Sequence, residues 1–316
     1  MSARSANELH LTRVYDAPVE LVWDAWVEPD QVAQWWGPRG FTLTSYSKDV
    51  RPGGQWIYTM HGPDGVDYPS ITTYLEVEER RRLVYDHGAS GDKPPLFRVT
   101  ALFTPLGRRT RLDLTMTLPS PEAARATREF IKRAGGDSTW DRLAEYLDKR
   151  STGKERFILN RSFAAPRAAV FAAWTDPARL SRWLPPEGFT MEFARADIRP
   201  GGTSFYSMSA PGGARLYGRC EYRSIAPPER LVYTQQFADQ DERVTRHPMS
   251  PTWPETIITT VTFTEESPHQ TRITIEWDPT PDTPPQSIET FAQSRPNMTQ
   301  GWTSSLDKLE NLLTPA

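Results

Sequence analysis

Apolar and polar residues alternate in short runs through the first half of the chain, and the same runs return in the same order in the second half. The run Leu9 to Tyr15, like Phe157 to Phe163, has the period of two that predicts a half-buried strand. Pro18 and Pro166 then open a helix, because a missing N–H is harmless in a first turn. Val22, Trp23 and Trp26, with counterparts Val170, Phe171 and Trp174, give that helix one apolar face. A second short helix is predicted over Pro29 to Trp36 and over Pro177 to Leu184.

Six strand-like segments follow in the first half: Phe41 to Lys48, Gln55 to Met60, Asp67 to Val77, Arg82 to His87, Phe97 to Thr104 and Thr110 to Thr117. Arg51-Pro52-Gly53-Gly54 between the first two is a turn, with proline presetting φ and glycine accepting positive φ. Ser120-Pro121-Glu122 starts a terminal helix whose inward face is Trp140, Leu143 and Leu147, matched by Trp302, Leu306, Leu309 and Leu313. Gly135-Gly136 and Pro296 are expected to break or kink that helix. The pattern predicts an α+β fold, an antiparallel sheet with helices on one side, made twice.

A constant shift of about 148 positions superposes Arg13 to Tyr85 on Arg161 to Tyr233 without a gap, which marks an internal duplication. Extra residues enter the second copy over roughly 236 to 253, and pairing resumes at Phe103 with Phe263 and at Thr110-Arg111 with Thr271-Arg272. The polar stretch Lys149 to Lys154 has linker composition, so the expected domains are 1–150 and 155–316.

A net charge of -3 and a pI near 6.0 argue against a polyanion partner, so nucleic acid is not expected. One cysteine, Cys220, makes no intramolecular disulfide and no thiolate metal site, and Met1 to Glu8 contains no apolar signal core. No apolar run is long enough to span a membrane. The expectation is a cytoplasmic protein with no membrane partner. His10, His61, His87, His247 and His269 do not repeat between the copies and lack metal-ligand spacing, so neither a metal nor a histidine catalyst is expected. Dinucleotide, Walker and nucleophile-elbow motifs are missing from the sequence, and no cofactor is expected.

Arg-x-Tyr/Phe-x-Ala-Pro, Val-x-x-Ala-Trp, Trp-Trp-Gly-Pro, Gly-Phe-Thr, Asp-Val-Arg-Pro-Gly-Gly, Arg-Leu-Val-Tyr and Thr-Arg-Leu together resemble one family. It is named for the C-terminal domain of the activator of the Hsp90 ATPase and belongs to the START-like, helix-grip superfamily. The resemblance covers nearly the whole chain, twice. It implies a sheet curved around a long C-terminal helix, with an elongated cavity between them. Two departures stand out: Gly135-Gly136 replace Gly301-Trp302 in copy one, and Trp183-Leu184-Pro185-Pro186 replace Trp35-Trp36-Gly37-Pro38 in copy two, so the two cavities need not be alike. Nothing resembles the separate Hsp90-contacting domain of the eukaryotic activator, and Hsp90 is not an expected partner.

Trp56, Tyr58 and Met60 share one face of the third strand, with Ser204, Tyr206 and Met208 in copy two; Tyr74 and Tyr222 have the same standing. If that face is the inner one, they either fill a core or line a pocket. Asp49 and Arg51, with Asp197 and Arg199, form a rim feature or pin the adjacent turn. Trp26, Trp35, Trp174 and Trp183 anchor the small helices, Trp35 and Trp183 are also rim candidates, and Trp35 could border an entrance. The function expected is non-catalytic binding of a small apolar or aromatic molecule. The alternatives are a cyclase- or hydratase-like enzyme using a cavity Tyr, Asp or Arg, or a protein-interaction module.

Overall fold

The computed structural model describes residues 5–88, 94–133 and 138–313. The chain divides into two compact units, Met1–Gly153 and Lys154–Ala316. Each is a helix-grip domain.

In the first unit β1 (Glu8–Tyr15) is followed by α1 (Val19–Val27) and α2 (Pro29–Trp35). Six strands come next: β2 (Thr42–Lys48), β3 (Gln55–His61), β4 (Asp67–Glu78), β5 (Arg82–Gly88), β6 (Phe97–Leu106) and β7 (Arg109–Thr117). Two helices, α3 (Pro121–Arg133) and α4 (Ser138–Thr152), close the unit. The second unit repeats the order with β8 (Phe157–Phe163), α5 (Arg167–Thr175) and α6 (Pro177–Trp183). Its remaining strands are β9 (Thr190–Ala196), β10 (Thr203–Ser209), β11 (Arg215–Ala226), β12 (Arg230–Ala238), β13 (Ile257–Ser267) and β14 (Gln270–Pro279), before α7 (Pro285–Gln293) and α8 (Arg295–Leu313).

Each sheet is an antiparallel meander whose opening strand returns to pair with the last, in the order β1-β7-β6-β5-β4-β3-β2 and β8-β14-β13-β12-β11-β10-β9. Register shifts bend the two sheets at matching places, between Ser45 and Ser47 and between Tyr74 and Glu76 in one, at Phe205/Tyr206 and between Tyr222 and Ser224 in the other. Such bulges increase local twist and curl a sheet around what it covers. The buried strand faces, α1 and α4 form one core in the first unit; the corresponding faces, α5, α7 and α8 form the core of the second.

Local rules explain most of the joints. Pro18 and Pro166 sit at the N-cap, one residue before the first turn assigned to them from sequence. Ser120 Oγ accepts from Ala123 N at 3.2 Å, and α3 begins at Pro121. Thr110 Oγ1 donates to Ala17 O and Thr271 Oγ1 to Ala165 O, each at 2.8 Å, tying the seventh strand of each unit to the start of its first helix. The terminal helix of the second unit is interrupted at Ser294, so Pro296 lies in the first turn of α8, where proline is tolerated. The expected break at Gly135-Gly136 lies outside the described residues. Among the described residues no helix is long and apolar enough to cross a membrane.

Candidate functional site

The two inner faces, alike in backbone, differ in what fills them. In the first unit Trp56, Tyr58 and Tyr74 are almost wholly buried. Trp56 stacks on Tyr58 with ring centroids 4.0 Å apart, and Trp36 meets Trp56 edge-on at 5.2 Å. Lys48 adds its ammonium group 3.4 Å from the centroid of Trp56 and donates to the Tyr74 hydroxyl at 2.9 Å. Burial pushes the Lys48 amine well below its ordinary pKa, while the π face of Trp56 acts in the opposite sense. Met60 is half-buried against the same cluster. Trp56, Tyr58, Tyr74 and Met60 thus pack against one another as core on the inner face.

In the second unit the same place is a cavity of about 330 Å³ between the inner sheet face and α8. Leu184 replaces Trp36, Ser204 replaces Trp56 and Ala196 replaces Lys48, so two indole rings and a lysine stem are gone. A fourth exchange moves a ring rather than removing one. Gly218 stands where the first unit has Ser70, and a Cβ there would lie 2.5 Å from the Tyr206 hydroxyl oxygen, so glycine lets Tyr206 lie against β11. Tyr206, Met208 and Tyr222 line the wall, and Ser204 Oγ lies 3.1 Å from the Tyr222 hydroxyl.

Four tryptophans border the cavity. Trp174 on α5 stacks on Trp302 of α8 at 5.8 Å, Trp302 meets Trp277 of β14 at 5.7 Å, and Trp277 faces Trp253 at 6.4 Å. Trp253 belongs to the insertion after β12, together with Pro254 and Glu255, so the extra residues of the second copy form part of the cavity wall. Glu255 is exposed and lies 3.7 Å from Arg246. Sequence reading placed the insertion but assigned it no role, because no counterpart in the first copy fixed its register.

Three tyrosines and the cysteine of the inner wall are held uncharged. Burial raises the phenols of Tyr206, Tyr222 and Tyr233 above their ordinary value and pushes the Cys220 thiol up to about 12. The wall therefore offers neutral hydrogen-bond donors, and among its described residues there is no Asp, Arg, Lys or His. Its one carboxylate is Glu255, and its tyrosines are of the kind the enzyme alternative names.

Trp35 and Trp183 border no entrance. Both are fully buried, and their indole N–H groups donate to Ala25 O and Ala173 O at 2.9 Å, which locks each second helix against the first. Arg51 donates to Asp49 at 2.8 Å and Arg199 to Asp197 at 2.9 Å, in exposed pairs beside the glycine turn. A Cβ on Gly54 or Gly202 would fall within 2.3 Å or 2.2 Å of the preceding aspartate's carbonyl oxygen, and Gly53 and Gly201 adopt positive φ, which together explain why the motif ends in two glycines. Gly53 N and Gly201 N in turn bond Tyr74 O and Tyr222 O at 2.7 Å. All four charged residues lie exposed beside the turn.

The segment over the cup is secured differently in each unit. In the first, Arg39 makes two hydrogen bonds of 2.8 and 2.7 Å to Glu145 on α4, both side chains being buried, and Arg142 Nη1 donates to the carbonyls of Trp36, Gly37, Pro38 and Phe41. In the second, neutral bonds do this work: Glu187 N to Ser304 Oγ at 2.9 Å and Ser305 Oγ to Leu184 O at 2.7 Å. Stacking also corrects one alignment. Trp140 lies on Trp26 as Trp302 lies on Trp174, so Trp140, and not Gly135-Gly136, is the counterpart of the Gly301-Trp302 tryptophan.

Residues 16–148 and 164–314 each match the family described as activator of Hsp90 ATPase homologue 1-like protein. The chain belongs to this family. Among solved structures, a Chromobacterium violaceum protein is 30% identical over 51% of this chain and 98% of its own, with a TM-score of 0.41. The AHSA1 protein of Silicibacter pomeroyi is 23% identical over 50% of this chain and 96% of its own, with a TM-score of 0.40. The di-domain ARO/CYC BexL from the BE-7585A biosynthetic pathway is 13% identical, aligns over 98% of this chain and 99% of its own, and has a TM-score of 0.39. No curated protein matches the chain. Among the described residues no group of three or more His, Cys, Asp or Glu side chains could hold a metal ion.

Proposed function

We propose that this AHSA1-like protein is a non-catalytic binder that holds one small, largely apolar, aromatic molecule in its second domain. The observation that carries this reading is the cavity of about 330 Å³ bordered by Trp174, Trp253, Trp277 and Trp302. Its volume lies at the lower end of the range for small-molecule sites, which are mostly apolar with a few placed polar groups. Aromatic walls favour a flat aromatic ligand, because offset and edge-on ring contacts add to the burial of area. Uncharged Tyr206, Tyr222 and Cys220 favour recognition over proton transfer. The first domain, with Trp36, Trp56 and Lys48 in the equivalent place, has a supporting part in this account.

The test is a fluorescence titration of the full chain with the neutral apolar probe N-phenyl-1-naphthylamine. The reading expects one saturable site per chain, weakened when Ser204 is replaced by phenylalanine and unchanged by Arg51→Ala on the exposed turn of the first domain. Equal affinity in the wild type and the Ser204→Phe variant would remove the cavity from the account.

A further inference from the structure

A buried hydrogen-bond donor without an acceptor is costly, and folded proteins leave few of them. Among the described residues, the buried indole N–H groups that meet no acceptor are those of Trp174, Trp277 and Trp302. All three border the cavity of the second domain. Three other core tryptophans are satisfied: Trp35 and Trp183 bond carbonyls and Trp56 bonds Ser45 Oγ at 2.9 Å. The unanswered indole donors are thus gathered on one cavity wall, which the phenols of Tyr222 and Tyr233 also line.

The charge of the wall adds a second constraint. Among its described residues no cation lines it, and the one carboxylate, Glu255, is exposed and beside Arg246. An anionic ligand would give up its hydration without an ion partner. A pure hydrocarbon would leave three donors unanswered. A flat, uncharged ring system bearing carbonyl-type oxygen meets both conditions, since its faces lie on the indoles while its oxygen accepts from N–H groups at the ring edges.

We infer that the molecule held by the second domain is a neutral aromatic ketone, quinone or lactone, recognised through the indole N–H groups of Trp174, Trp277 and Trp302. This inference rests on reading the cavity as a binding site, and the two can be separated by experiment.

Fluorene, 9-fluorenone and fluorene-9-carboxylate share one ring frame and differ only in the group at one carbon. Isothermal titration of the full chain with each is expected to give 9-fluorenone the tightest binding, about tenfold over fluorene, as one net hydrogen bond would supply. The carboxylate is expected to be the weakest. Trp277→Phe and Trp302→Phe each keep a ring and delete a donor; in at least one, the preference for 9-fluorenone over fluorene should shrink toward unity while fluorene still binds. The infrared carbonyl stretch of 9-fluorenone bound to the unaltered protein gives a check that needs no variant, and it should fall below its position in an alkane. Equal binding of fluorene and 9-fluorenone, tightest binding of the carboxylate, or an alkane-like stretch would overturn the donor inference and leave the cup reading standing. If none of the three binds, the cup reading falls and the inference falls with it.

Discussion

Replacing Ser204 with phenylalanine returns a large ring to the position that Trp56 holds in the first domain. Ser204 is fully buried, lines the cavity and lies 3.1 Å from the Tyr222 hydroxyl. Burying the new ring should contribute about 2 kcal/mol. Losing the serine–tyrosine hydrogen bond costs about 1 kcal/mol. The net expectation is a second domain more stable by about 1 kcal/mol, a rise in Tm of about 2–4 °C for a domain of this size. Binding of a neutral apolar probe should meanwhile weaken at least tenfold. Differential scanning fluorimetry and probe titration of the same preparations read the two effects together. If the space at Ser204 were closed, the ring would overpack the core and lower stability by about 1–3 kcal/mol. A fall in Tm with probe affinity unchanged would therefore refute the reasoning.

Three further outcomes follow from buried groups. His87 stacks on Phe97 at 4.6 Å, and burial pushes its pKa down to about 4. A depressed folded-state value means that the unfolded chain takes up the proton first, so stability present above about pH 6.5 is lost as pH falls through 4. With allowance for partial exposure this loss is about 2 kcal/mol, and it should vanish in His87→Gln, which installs the residue found at Gln235, when urea unfolding is compared at pH 7 and pH 4. Glu145→Gln leaves the buried Arg39 without its two-point carboxylate partner and should cost the first domain about 3 kcal/mol in urea unfolding, whereas the exposed pair partner Asp49→Asn should cost less than about 1 kcal/mol. With its thiol near 12, Cys220 should react with iodoacetamide at pH 8 about a thousandfold more slowly than an unperturbed cysteine, as read by intact-mass spectrometry. Labelling at the rate of the urea-unfolded protein would contradict its burial.

Much of the fold was legible because duplication supplies an internal control. Residues that recur at a fixed shift, such as Ala17-Pro18 with Ala165-Pro166 and the Pro-Gly-Gly turn, carry backbone geometry, and both sheets bulge at matching positions. The site was legible mainly where the copies disagree. Trp36 against Leu184 and Trp56 against Ser204 already signal that one cup is fuller than the other. Strand periodicity puts Tyr58 and Tyr206 on the same inner face, yet one lies in packed core and the other on a cavity wall. Periodicity reports which way a side chain points, and the space beside it depends on neighbours from other strands, here Ser70 or Gly218. Trp253 was beyond reach for another reason: it lies in the insertion, where neither period nor repeat sets its position. Trp35 and Trp183 carried two readings, helix anchor and rim candidate, because the same amphipathic ring suits an entrance or a core, and their bonds to Ala25 and Ala173 place them as anchors.

Native mass spectrometry of the purified full chain with added 9-fluorenone tests the central claim most directly. The account predicts a single adduct per chain, lost in the Ser204→Phe variant and retained when Asp49 on the exposed turn is changed to asparagine. Two adducts per chain, or an adduct that survives Ser204→Phe, would contradict the assignment of binding to the second domain's cavity.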